Sequence, residues 1–404
     1  MAAITVSLSR IEPVRIEEKV KIELAEASLA LAKASDRLGA GLPPETLAQV
    51  AAMIRIVNSY YSNRIEGNNT HPREIEAALA GTLDMDPRRG ALQREAAADV
   101  QLQAEIDHRA AWGQLEDPTH PDFIRWMHRE LYRDVDTTVP VLPRTRAGEE
   151  EIVMQPGIWR DGDEEVRDHS SLPHDRVPAY MDHFHTRLCQ DELHGQTANI
   201  LALATAHHRL NFIRPFHHGN GRVSRLMSHA MAHHAGIGAD GLWSVSRGLA
   251  RGLEGGGVSG REEYREMMQL ADQVRVDDQG GCGNLSLDAL THYAYWFLSV
   301  CLDQVNFMAD LLDFGGMGNR LTHFAETQNF RTGGAELLRV VLIRGQVERG
   351  NVATILNVAP RTARAVIKEL TDAGILGSDT PRSALELRFP SQTHEILFPN
   401  LFEG

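Results

Sequence analysis

The chain has 404 residues, 42% of them apolar and 24% charged, and a net charge of −14. It is long enough for two or three domains around a sizeable core, it has no apolar run of the roughly 18–20 residues a membrane-spanning helix needs, and its acidity sets the molecule as a whole against nucleic acid. Its three cysteines, Cys189, Cys282 and Cys301, are too few and too scattered for a disulfide framework; with no basic start and apolar stretch in the first ten residues to read as a signal peptide, a cytoplasmic location is expected.

Along the chain, Val20, Leu24, Ala27, Leu31, Ala34 and Leu38 recur at spacings of four and three, which predicts a helix over 16–38. Gly39 to Pro44 stops it, and Pro44 is placed to open a second helix that runs to about Tyr61. Further helices are expected at 71–80, 92–112 and 121–133. Between 134 and 175 the character changes, and Asp161-Gly162 between short strand-like pieces predicts a small β-hairpin over 157–166. Helical periodicity returns at 177–188, 197–210, 219–235 and, as a long apolar helix, at 287–312.

The last segment differs in charge. Residues 331–390 carry nine basic and six acidic side chains, a net +3 that leaves −17 for the rest. Helices are expected at 336–343, 351–356 and 361–373, with Gly374 as a C-cap and two strands in 375–389. Ala363, Val366, Ile367 and Leu370 fall on the inward face of the third helix, and Arg361, Arg364 and Lys368 on the outward one. This order reads as a winged helix-turn-helix, a module that contacts DNA or a protein.

The chemistry concentrates in Arg214-Pro215-Phe216-His217-His218-Gly219-Asn220-Gly221-Arg222-Val223-Ser224-Arg225. A glycine-rich turn opening a helix gathers backbone N–H groups into one concavity, and the helix dipole adds positive potential. Arg222 and Arg225, three residues apart, share a face and can each fork onto phosphate oxygens; Asn220 can donate from its amide, and Phe216 plugs the loop into the core.

This stretch resembles the active-site signature of the Fic (Fido) family, His-Pro-Phe-x-Asp/Glu-Gly-Asn-Gly-Arg-x-x-Arg, at Pro215, Phe216, Gly219, Asn220, Gly221, Arg222 and Arg225. The resemblance implies a mainly α fold, a Fic/Fido helical core with a β-hairpin flap, followed by the winged helix. The resemblance covers most of 45–315; with the C-terminal pattern, the chain divides into an N-terminal helical region at 1–115, the core at 116–315 and the module at 331–390. The resemblance also implies a protein adenylyltransferase: ATP is held by Phe216, Gly219, Asn220, Gly221, Arg222 and Arg225, a histidine deprotonates a hydroxyl of a target protein, and AMP is transferred. Two positions depart. Arg214 stands at the histidine position, and arginine is never a free base at neutral pH; His217 is the candidate substitute. His218 stands at the acidic metal-ligand position, and imidazole suits magnesium poorly. Impaired or altered transfer is therefore expected; the alternative is a catalytically dead nucleotide-sensing regulator.

Ser62-Asn63-Arg64-Ile65-Glu66-Gly67 resembles the family's inhibitory motif, which implies that Ser62, Glu66 and Gly67 form a brake with Glu66 on Arg225. Gly157, Trp159 and Val166 fall in the segment that resembles the flap, which pairs by backbone with the target. Among the nineteen histidines, His229 and His233 have the i, i+4 spacing of zinc ligands, yet no His-Glu-x-x-His and no evident third ligand accompanies them. His207 is expected to pack in the core. No membrane partner is expected, the target protein is open, and DNA and a second copy of the chain remain as partners.

Overall fold

The computed structural model describes residues 8–13, 22–134, 154–163, 165–166, 169–170, 172–238, 241–253, 259–273, 285–380 and 382–402. It is mainly helical. The first half contains α1 (Ile22–Ser35), α2 (Pro44–Ile65), α3 (Pro72–Leu79), α4 (Pro87–Ala111), α5 (Pro121–Leu131), β1 (Glu165–Val166), β2 (His169–Ser170), α6 (Val177–Leu188) and α7 (Gln196–Ile213). Then follow α8 (Asn220–His234), α9 (Val245–Arg251), α10 (Gly260–Ala271), α11 (Leu287–Leu311), α12 (Phe314–Thr327) and α13 (Gly334–Arg344). The last part holds β3 (Gln346–Val347), α14 (Val352–Ile355), α15 (Pro360–Asp372), β4 (Leu376–Gly377), β5 (Leu385–Leu387) and α16 (His394–Leu397).

Helix starts follow local chemistry. Proline opens α2, α3, α4, α5 and α15, where its missing N–H is one the first turn leaves unpaired anyway. Asp86 caps α4 by accepting from the backbone N–H of Arg88 at 2.9 Å. With such starts, α2 runs on to Ile65 and α4 begins at Pro87, both longer than periodicity alone predicts. The expected helix over 16–38 is described from Ile22 to Ser35, ending three residues early; residues 16–21 lie outside the described residues. The helices α9, α10 and α12 were not anticipated, although Tyr264, Met267, Met268 and Ala271 on α10 and Met317, Leu321, Phe324 and Ala325 on α12 recur at helical spacing.

The hairpin lies elsewhere than expected. Glu165 pairs with Ser170 and Val166 with His169, so Asp161-Gly162 is not its turn. Residues 154–163 form a loop instead, because their polar groups are spent elsewhere: Arg160 N donates to Pro215 O at 2.9 Å, and Gly157 N donates to His128 Nδ1 at 2.8 Å. In the C-terminal part, β3, unanticipated, joins β5 and β4 in an antiparallel sheet of order β3-β5-β4.

At the centre stands α7, buried on every side from Ile200 to Leu210, as a helix enclosed by others must be. It packs against α6, α8, α11 and α1, and α8 in turn against α4 and α5. One apolar cluster runs from Ile11 to Leu401, so the expected N-terminal, central and C-terminal segments share a core.

Candidate functional site

The anion loop connects α7 to α8. Arg214 closes α7 in the left-handed conformation, φ 49° and ψ 64°, which costs a non-glycine residue about 1–2 kcal/mol; its carbonyl is held by Arg160 Nε at 2.8 Å. Phe216 is buried and stacks on His128 with ring centroids 3.8 Å apart. Gly219 sits at φ 81°, and a Cβ there would lie 2.4 Å from the Tyr132 hydroxyl. The Asn220 side chain turns inward: its Oδ1 accepts from Phe216 N at 3.0 Å and its Nδ2 donates to Phe216 O at 2.6 Å. The amide that sequence reasoning offers to a phosphate is thus committed to bracing the loop, because the tight turn leaves the Phe216 backbone groups unpaired otherwise.

Both arginines of the loop are buried and engaged. Arg225 donates from Nη2 to Glu66 Oε1 at 2.7 Å and to Ser62 O at 3.2 Å, and from Nε to Ser62 Oγ at 2.9 Å. Glu66 is the C-cap of α2, followed by Gly67 at φ 88°. Its carboxylate lies against the loop: a Cβ on Gly221 would be 2.5 Å from Glu66 Oε1. Burial opposes ionisation of Glu66, but Arg225 and then Arg222 overcome it and hold the carboxyl below its ordinary value.

Arg222 donates to Asn63 Oδ1 from Nη2 at 3.2 Å and to the Tyr132 hydroxyl from Nη1 at 3.2 Å. A second carboxylate, Glu95 on α4, places Oε2 3.2 Å from Arg222 Nη2. Burial pushes Glu95 up and Arg222 pulls it back. Asn63, Glu95 and Tyr132 were missed by sequence reasoning. Their signal was faint: Glu95, Asp99, Gln103 and Asp107 recur every four residues along α4, a polar stripe at helical period on a face that is buried.

The residues at the two departing positions are also located. Arg214 is half-buried at the loop entrance. The buried His217 places Nε2 2.9 Å from Asp161 Oδ1, and this hydrogen bond is the first cause of the low pKa of the exposed Asp161. His218 accepts at Nε2 from Arg222 Nη1 at 3.5 Å, and its carbonyl accepts from His128 Nε2 at 3.1 Å. The site thus offers two guanidinium groups and a helix N-terminus, which fit a phosphate chain. An imidazole beside Arg222 does not fit magnesium, which takes oxygen donors.

Gly157 lies under the loop, at φ 75° with its carbonyl accepting from Arg125 Nε at 2.9 Å. Trp159 is half-buried on Phe216, centroids 4.9 Å apart, so it packs against the loop. Of Val166, the structure describes the backbone, paired with His169. His207 is enclosed between Ser228 Oγ at 2.8 Å and the Tyr264 hydroxyl at 2.9 Å, and burial, with Arg225 adding, lowers its pKa to about 3. Arg361, Arg364 and Lys368 are exposed on α15, Lys368 pairing with Asp372.

Residues 118–232 match the sequence profile of the Fic/DOC family. Among solved structures, the chain is similar to a Fic family protein from Desulfovibrio desulfuricans G20, with a TM-score of 0.51 and 16% identity over 93% of this chain and 98% of that one. It also resembles a Fic domain containing signaling protein from Bacteroides thetaiotaomicron VPI-5482, at TM-score 0.47 and 17% identity over 71% and 95% of the two chains. A third likeness is to Fic-1 from C. elegans, at TM-score 0.45 and 14% identity over 74% and 73%. The first of these bears on the fold; the other two are too distant to add to it. No curated protein matches the chain. The loop, its two arginines and all but the last two residues of α8 fall within the matched residues, and the segment 118–232 is a Fic/DOC family domain set in a longer helical chain of Fic fold.

Proposed function

We propose that this is a Fic-type nucleotide-binding protein whose adenylyltransferase chemistry, the transfer of AMP from ATP to a protein hydroxyl, is impaired, and whose access to ATP is restrained by Glu66. The observation that supports this best is the Glu66–Arg225 pair at 2.7 Å across Gly221. A carboxylate occupies the guanidinium that a phosphate needs, and the two compete for one charge. With Arg214 at the base position, the domain lacks a group able to take a proton there at neutral pH; a positioned base is worth typically 10²–10⁴-fold. ATP is the cofactor this reading requires; magnesium held at His218 is not part of it.

The test is ATP binding and self-modification in the full chain. Glu66→Gly should tighten ATP binding by calorimetry, and Arg225→Ala should abolish it in both backgrounds. Labelled ATP should modify the wild type little or not at all, and Arg214→His with His218→Asp in the Glu66→Gly background should restore labelling. Equal ATP affinity with and without Glu66 would remove the restraint; labelling by the unmodified wild type would remove the impairment.

A second reading, a nucleotide-sensing regulator that contacts DNA, draws on the exposed Arg361, Arg364 and Lys368 of α15. It expects complexes with DNA that weaken steeply with salt as phosphate contacts release counterions; no gel-shift at low salt would leave a protein partner for that face.

A further inference from the structure

Beyond the loop, α8 carries a second polar cluster. His229 and His233 lie one turn apart and aim their Nε2 atoms at one oxygen, Oδ1 of Asp107 on α4, at 2.6 and 2.8 Å. The other oxygen, Oδ2, accepts from Arg55 Nε at 2.6 Å. The three side chains are about nine-tenths buried. Their rings stand 88° apart with centroids at 5.1 Å, so the nitrogens converge on a point and the rings do not stack. Gly241 faces the cluster at φ 82°, and a Cβ there would come within 3.3 Å of Oδ2 and 3.5 Å of His229 Cε1, so glycine leaves this side uncrowded.

Two imidazole nitrogens and a carboxylate oxygen, fixed on two helices, are borderline donors suited to zinc and its neighbours and unsuited to magnesium or calcium. The i, i+4 pair supplies two ligands from one rigid element. Asp107 supplies the third, which no local motif reveals because it comes from 122 residues away. Arg55 ties up Oδ2 and leaves Oδ1 to the histidines, the outer hydrogen bond that orients a ligating carboxylate. Bonds of about 2.0–2.1 Å at a tetrahedral ion put the donor atoms roughly 3.3 Å apart. The two nitrogen–oxygen spacings, 2.6 and 2.8 Å, are about 0.5–0.7 Å short of that, a change within the reach of side-chain rotation.

We propose that Asp107, His229 and His233 bind a divalent transition-metal ion of the zinc class, with water completing the coordination. The ion fastens the C-terminal half of α8 to α4. The opposite ends of the same two helices carry Arg222 and Glu95, so the ion braces the helix pair that presents the anion loop.

The test uses the full chain, stripped of metal by a chelator. Zinc chloride is titrated in competition with a chromophoric chelator, and cobalt chloride is followed in the visible for the bands of a four- or five-coordinate ion. One tight equivalent and cobalt bands are expected. Affinity should fall on the order of 100-fold in His233→Ala, at least as much as the loss of an outer-shell partner causes, and hold in His323→Ala, a change at an exposed helix position. Circular dichroism checks that His233→Ala is folded; if it is not, His229→Gln and the wild-type cobalt spectrum decide. A wild type that binds no tighter than His233→Ala, or shows no cobalt bands, overturns the proposal and leaves a His–Asp–Arg charge network.

Discussion

At the level of single residues, burial decides what each group can do. His207 matches no catalytic demand: Ser228 Oγ donates onward to Ser224 O at 2.8 Å, so it accepts from His207 Nδ1, and Nε2 accepts from Tyr264. The imidazole is therefore neutral, with its pKa lowered to about 3, first by burial. A folded pKa below the unfolded one means stability is present above about pH 6.5 and is lost as pH falls toward 3. His207→Gln should flatten the acid limb of a urea-denaturation pH series by one proton, about 1.4 kcal/mol per pH unit between those values. An unchanged slope would place the acid lability elsewhere. Gly219 is a different case. Its φ of 81° and the Tyr132 ring that a Cβ would strike make Gly219→Ala strained twice over; it should cost about 1–3 kcal/mol in urea and lose ATP binding.

At the level of elements, the site is a seam between α4 and α8. Glu95, Asp99, Gln103 and Asp107 follow one another at four-residue intervals on α4, and Arg222, Arg225, His229 and His233 at intervals of three and four on α8. Two polar stripes meet inside the protein, which is tolerable because the groups pair: Glu95 with Arg222, Asp107 with the histidines, and Asp99 with the Gln103 amide at 3.1 Å. In the proposed function, the restraint then has two carboxylates, one per arginine. Glu95→Gln keeps the volume and removes the charge next to Arg222. Stability should fall by up to about 3–5 kcal/mol in urea, because removing one partner leaves the buried Arg222 charge without its nearby carboxylate. ATP affinity should rise several-fold, and further in combination with Glu66→Gly. Calorimetry showing the same affinity in Glu95→Gln as in the wild type would mean that Asn63 and Tyr132 alone set the state of Arg222.

At the level of the whole molecule, the C-terminal end is tied back onto the helix that delivers Glu66. The Tyr61 hydroxyl on α2 donates to Leu401 O at 3.1 Å. Arg247 on α9 donates to Leu401 O at 3.0 Å and Asn400 O at 2.7 Å, while lying over the Phe307 ring at 3.9 Å. Ser391 donates from N and Oγ to the Glu76 carboxylate of α3 at 2.8 and 2.6 Å. The N-terminal helices, the Fic/DOC domain and the C-terminal module are thus parts of one packing unit. Arg247→Met should cost about 2–3 kcal/mol, the value of charged hydrogen bonds lost to buried carbonyls, and should expose the last residues to limited proteolysis. A melting temperature and digestion pattern like the wild type's would show that this anchor is dispensable.

What the sequence by itself determined is whatever depends on neighbours within a few residues. The Gly219-Asn220-Gly221 turn, the two arginines on one helical face, the start of α2 at Pro44 and the long apolar stretch of α11 are all of this kind, since 3.6-residue periodicity and turn chemistry act locally. The departures at Arg214 and His218 were legible only through the resemblance to the family's signature. The resemblance at Ser62–Gly67 pointed to Arg225, but that Glu66 lies against Gly221 is a matter of where α2 ends relative to α8. Tertiary structure alone decided that Arg222 meets Glu95, Asn63 and Tyr132, that Asn220 turns inward, that 157–163 is a loop and not a strand, and that Asp107 joins two histidines far along the chain. Those contacts rest on how helices cross, and crossing is fixed by the shape of the whole core, to which residues from Ile11 to Leu401 all contribute.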